Sequence, residues 1–189
     1  MYFDFGGSDT APGTQQNTDG LGPPRVRFKT ADDATIDAVN PIPIVAGQTK
    51  YSYWKHIYLK CATAPSVQVD NVKFYTDGGG FGTGITLNVG EQFPVKNAAA
   101  STGYEVAGGT PGDTGEEVVA NHGGITSVVS AFSKTDVSPL VGPTISEAGN
   151  IINAIGETTN YLVFQMVVID TATPGDLADE TLTFQYDEI

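Results

Sequence analysis

A single cysteine, Cys61, in 189 residues excludes an intrachain disulfide framework and a CxxC metal knuckle. Histidine is almost as scarce. His56 and His122 stand 66 positions apart, and HExxH, GxSxG and any recognisable Cys–His setting are missing, so the familiar zinc-hydrolase and nucleophile-elbow chemistries lack their residues. No window reaches the roughly 18 apolar residues of a membrane span. The opening MYFDFGGSDT has no basic region followed by an apolar run, so no signal peptide and no membrane partner are expected.

Basic residues are the other scarcity. Nine bases against 22 acids give a formal charge of −13. Residues 1–96 hold eight bases and nine acids, whereas residues 97–189 hold one base, Lys134, and thirteen acids. A field of that sign repels nucleic-acid phosphates, so no nucleic-acid partner is expected. It leaves a solvated acidic face or an attraction for cations and basic partners.

What the chain does have is glycine in turns and short β-patterned runs. The densest turn is TDGGGFGTG, residues 76–84. A Walker loop needs a lysine after its last glycine and then a helix, but Ile85 stands in the lysine's place and ITLNVG alternates at the period of a strand. The GxGxxG spacing fails as well. The loop is therefore expected to turn the chain within a hairpin and to cradle no phosphate.

Residues 1–24 are rich in Gly, Thr, Asn, Gln and Pro and carry no sustained period, which predicts an extended arm ahead of a single β-domain over 25–189. Tyr2, Phe3 and Phe5 at its tip are the expected anchors, either on the arm's own domain or as subunit contacts on a neighbour. From Arg25 the chain reads as strands. RVRFKT alternates Val26 and Phe28 with basic residues, and YSYWKHIYLKCA places Tyr51, Tyr53, Ile57 and Leu59 on one face and Trp54, His56 and Tyr58 on the other. Further strands are predicted at SVQVDNVKFYT, GITLNVG, ITSVVSAFS, NYLVFQMVVID and ETLTFQYDEI. Residues 161–169 are apolar at nearly every position, the mark of a strand covered on both faces. One short helix is allowed at DTGEEVVANHGG, with Thr114 and Glu117 as a capping box, Gly123 as its stop and His122 near its end. The fold class is all-β, a single jelly-roll-like sandwich.

Candidate chemistry is thin. His56 on a strand among aromatics reads as a partly buried surface residue. A glycosidase carboxylate pair leaves no signature, so the acids neither support nor exclude one. Asp32, Asp33, Asp70, Asp77, Asp170 and the DLADE run at 176–180 supply hard oxygen ligands in loops without the spacing of an EF-hand. No cofactor and no metal are expected. Tyr53, Trp54 and Tyr58 offer a sugar-stacking platform, the basis of an alternative reading as a carbohydrate-binding module or tail-associated adhesion protein, against the plainer reading of core filler.

YWKHIYLKCATAPSVQVDNVKFYTDGG, the GTGITLNVG segment and the ending ETLTFQYDEI resemble small β-rich structural proteins of the virions of tailed bacterial and archaeal viruses. The resemblance spans roughly residues 50–90 and 160–189 and contains no catalytic residue. It implies a non-enzymatic particle component, a capsid decoration protein or a tail protein. Such a protein is made in the host cytoplasm, located in the virion and homo-oligomeric, with neighbouring capsid or tail subunits as partners.

Overall fold

Alternation of apolar and polar residues dominates the chain, and strands dominate the structure. The computed structural model describes residues 1–8, 11–17, 26–33, 35, 38–93, 106–120, 122, 125, 127–141, 150–175 and 177–189, with only the backbone described for residues 3, 5–7, 11–12, 16–17 and 91–93. Among the described residues the strands are β1 (Tyr2–Ser8), β2 (Ala11–Asn17), β3 (Thr49–Tyr51), β4 (Lys55–Tyr58), β5 (Val69–Thr76), β6 (Ile85–Phe93), β7 (Gly109–Thr110), β8 (Thr114–Gly115), β9 (Val128–Ser130), β10 (Leu140–Val141), β11 (Tyr161–Ile169) and β12 (Leu182–Glu188). Their pairing is antiparallel. A seven-stranded sheet runs β2-β1-β4-β11-β6-β9 with β3 also on β11, a three-stranded sheet runs β10-β5-β12, and β7 and β8 form a small ribbon. The chain is an all-β sandwich.

The main core lies between the two sheets. Ile57, Leu87, Val89, Leu162, Phe164, Met166 and Val168 of the large sheet meet Phe74 and Leu140 of the small one. Phe74 stands edge-on to Phe164 at 5.2 Å and to Phe184 at 5.5 Å, so one ring joins β11 to β12 across the gap. Aromatic pairs of this geometry add to the gain from burial alone. On the other face of the large sheet Tyr53, Trp54, Tyr58, Tyr161 and Val163 pack with Ala107, Val118 and Ile125 of the loops that cover them. The doubly covered strand expected at 161–169 is thus β11, with alternate residues feeding two cores.

The twelve-residue run at 51–61 does not keep its period. Tyr51 lies opposite Val167 and Lys55 opposite Phe164, so residues 52–54 face only Gln165 and Met166. This is a bulge, and it turns both Tyr53 and Trp54 into the second core. His56 is correspondingly buried, 2% exposed, and is not the surface residue expected.

Four other expectations change. The arm, along its described length, is a hairpin: β1 pairs with β2 and, through Tyr2↔Tyr58, Phe3↔Ile57 and Asp4↔His56, with β4. Residues 26–29 form no strand, although Val26 and Phe28 still pack on the main core; Arg25 lies outside the described residues. The expected helix at 113–124 is absent among the described residues, because its backbone is used elsewhere. Thr114 lies in β8, its hydroxyl accepts from the Tyr51 amide at 3.0 Å, and a Cβ on Gly115 would come within 2.5 Å of Ser52 O. Gly123 lies outside the described residues. Finally, the glycine-rich segment joins β5 to β6, which belong to different sheets, so it is a crossover between layers and not a hairpin turn.

In that crossover Gly84 is the demanding position. Its φ is +78°, and a Cβ there would lie 2.5 Å from Ala172 N. Gly80 has only Phe132 at 3.8 Å, an ordinary contact. Gly84→Ala is therefore expected to lower the melting temperature markedly and Gly80→Ala hardly at all. In the same denaturant melts Phe164→Ala should cost about 3–5 kcal/mol, against about 0.5 kcal/mol or less for Thr183→Ala on β12. Equal costs at Phe164 and Thr183 would contradict the assignment of the core.

Candidate functional site

The titratable and aromatic side chains gather on the second face of the large sheet. Bringing Asp4 opposite His56 puts a carboxylate on that face, 1% exposed. The Tyr58 hydroxyl donates to Asp4 Oδ1 at 3.2 Å, and the Tyr161 hydroxyl donates to Asp4 Oδ2. Two phenols thus replace the water a buried carboxylate needs. Burial, reinforced by the Asp4 charge, pushes the Tyr58 hydroxyl well above the ordinary tyrosine range, so it stays a donor. Tyr2 stacks on Tyr58 at 6.0 Å, and Gln15 of β2 bonds the same hydroxyl. Of the expected arm anchors, Tyr2 is therefore placed on its own domain. The side chains of Phe3 and Phe5 lie outside the described residues.

Next to this cluster, the bulge and the loop at 116–118 meet at Gln165. Its amide nitrogen donates to Ser52 O at 2.8 Å and Glu116 O at 2.6 Å, and its carbonyl accepts from Val118 N at 2.8 Å. Trp54 Nε1 also donates to Glu116 O at 2.9 Å, and the His122 ring stands edge-on to the indole at 4.9 Å. His122 thus caps a tryptophan, not a helix. Tyr53, Trp54 and Tyr58 are 8%, 1% and 0% exposed. Rings so covered present no flat face to a sugar; the three lie in the second core, as in the plainer reading of core filler.

Lysine and aspartate form the third group. Lys55, fully buried, donates to Asp33 O at 2.9 Å and reaches Asp32 Oδ1 at 3.5 Å, while Lys29 pairs with Asp33 Oδ1 at 3.0 Å. Burial holds the Lys55 ammonium below its usual range despite the attraction of Asp32. Lys50, also buried, pairs with Asp113. The Asp32–Asp33 pair considered as cation ligands thus has lysines as its cations. The other acids in that set are dispersed. Asp70 accepts from Gln68, Asp77 from the Gly79 amide and Asp170 from the Gly47 amide. Among the described residues no three His, Cys, Asp or Glu side chains converge as metal ligands; Asp176 lies outside them.

Sequence reasoning missed an open groove of about 510 Å³ at one end of the sandwich, lined by Leu59, Cys61, Pro65, Val69, Ile152 and Tyr186, among others. Burial and the Glu157 charge push the Cys61 thiol up, and its hydrogen donates to Thr63 O at 3.1 Å. A protonated, engaged thiol is a poor nucleophile. No family model, curated protein or solved structure gave a significant match to the chain.

The lysine–aspartate group has a pH signature. Burial alone would raise the Asp33 carboxyl, but the Thr35 amide and Lys29 outweigh it and hold it below 3.8. A carboxyl depressed on folding stabilises above its unfolded value, and that contribution is lost as pH falls through the lower folded value. The difference in melting temperature between the parent and Asp33→Asn should be constant above about pH 5 and close as the pH drops below about 3.8. A difference independent of pH would show that Asp33 contributes no charge interaction.

Proposed function

We propose that this chain is a non-enzymatic structural subunit of a symmetric virus particle, a capsid decoration or tail protein built on a jelly-roll-like sandwich. The observation that carries the proposal is the N-terminal hairpin. It forms the outer strands of the large sheet through three register pairs to β4 and one buried carboxylate between two phenols. A terminal hairpin held on a sheet by main-chain bonds can be received by a neighbouring copy with the same complementarity, and exchange of such elements is a low-cost route to assembly. Two further observations favour a scaffold over an enzyme. His56, Lys55, Asp4 and Asp33 are each engaged in packing or ion pairs within the protein. The acidic second half of the chain suits the outer surface of a particle.

Removal of residues 1–17 uncovers the β4 edge and both phenols. The expected outcome is a chain that still melts cooperatively, at lower temperature, and that sediments as a smaller species than the parent. A parent that sediments as a monomer at all concentrations, and that is missing from a mass-spectrometric inventory of purified particles, would sink the proposal.

A further inference from the structure

Strand β12 ends the small sheet. Its inner neighbour is β5, and among the described residues no backbone group pairs along its other side. The direction of its free groups follows from one end. Ile189 and Gln68 exchange both backbone bonds, N–H to O at 3.0 Å and 3.2 Å, so the odd-numbered residues of the strand turn their amides toward β5. Antiparallel ladders alternate, and the amides and carbonyls of Leu182, Phe184, Tyr186 and Glu188 therefore point outward. The ladder's irregularity does not interrupt this row. Tyr186 stands between the Gln185↔Lys73 and Asp187↔Asp70 pairs, so the extra residue belongs to β5, where Asn71 takes a φ of +50°.

Exposed edges are ordinarily blunted by proline, lysine, a bulge in the edge strand itself or a covering segment. LTFQYDE carries no proline, glycine or lysine. Its charges are of one sign: Asp179 and Glu180 precede it, Asp187 and Glu188 end it, and residues 177–189 contain no base. Acids deter a second copy, which brings a charge of −13 of its own, and attract a basic strand. Beside the strand's C-terminal half lies the groove of about 510 Å³, with Tyr186 and Val69 in its wall and Val67 and Ile189 exposed nearby at 61% and 62%.

We propose that the outer edge of β12 binds an extended basic segment of a partner protein as an added strand. The outward amides and carbonyls of 182, 184, 186 and 188 supply the ladder, the four acids supply the charge selection, and the groove takes an apolar side chain of the incoming strand. Added strands derive affinity from the main chain and specificity from pockets for alternate side chains. This site is separate from the N-terminal hairpin and does not require that the chain belong to a particle.

The probe is a short fluorescent peptide alternating lysine and valine, titrated into the full-length protein and followed by anisotropy. Saturable binding is expected, weakening by about tenfold or more between roughly 50 and 500 mM salt. Tyr186→Pro removes an outward amide without touching the bonds to β5, a position where an edge strand tolerates proline. It should abolish binding while leaving the thermal transition cooperative. Tyr186→Ala, which keeps the amide but trims the groove wall, should weaken binding only in part and far less than Tyr186→Pro. The proposal is overturned by any of three results: no saturation by about 1 mM peptide, equal binding of a glutamate–valine peptide, or undiminished binding in a folded Tyr186→Pro. Sedimentation showing that copies of the parent pair with each other, and that Tyr186→Pro abolishes the pairing, would overturn it in favour of a second copy as the occupant.

Discussion

The carboxamide of Gln165 is the interaction on which the second face of the large sheet depends. It lies at 0% exposure in the middle of β11, where a valine or isoleucine would suit the strand better. Each of its three bonds goes to a backbone group that regular structure leaves without a ladder partner: Ser52 O in the bulge, and Glu116 O and Val118 N in the covering loop. A buried backbone group with no partner costs about 1–3 kcal/mol. One side chain therefore allows a bulge and a coil to sit over a sheet at once. An apolar residue at 165 would strand Ser52 O and Val118 N and leave Glu116 O with Trp54 Nε1 alone, and the cost would fall on the loop that seals Trp54 and Val118 from water.

This arrangement explains the division between the two faces. Between the sheets the contacts are hydrocarbon and ring edges, and the sequence period of two is enough to specify them. Among the described residues the other face is covered by the loops that carry Ala107, Val118 and Ile125, whose peptide groups need partners. Gln165 answers that need by bonding Glu116 O and Val118 N, while Asp4 on the same face is held by the Tyr58 and Tyr161 hydroxyls. A fully satisfied polar network narrows the choice of conformation more than an apolar surface does, since each bond has a direction.

The same distinction governs what could be read in advance. β11 and β12 were legible because apolar runs and alternation state burial directly, and β5 and β6 for the same reason. The bulge at 52–54 was not, because both strands it joins keep a normal pattern and only their register against β11 reveals the extra residue. The helix expected near Thr114 failed by the opposite route: a sound capping-box pattern lost to Trp54 and Gln165, which bond the same backbone. The hairpin of residues 2–17 was read as an arm because edge strands are held by main-chain bonds that leave little mark on composition. Its one clue was Asp4, two residues from Tyr2 and so on the same face, a polar residue where a buried strand would show an apolar one. The three core aromatics weighed as a sugar platform had the right chemistry, and neither sequence nor spacing records which face of the sheet a loop will cover.

Burial also changes the meaning of the charge count. Lys29, Lys50 and Lys55, three of the nine bases, are 4%, 7% and 0% exposed. Each is neutralised at short range by Asp33, Asp113 or Asp32, and these pairs contribute little field beyond their own neighbourhood. The positive charge left for solvent is thereby cut by a third, while most acids of the second half stay outside, among them Asp170, Asp179, Asp187 and Glu188. Folding thus spends a scarce resource on the interior, and what it leaves at the surface is more uniformly acidic than composition suggests. The potential an approaching molecule meets is set by that surface, which makes the discrimination between acidic and basic partners a property of the fold and not of the formal charge alone.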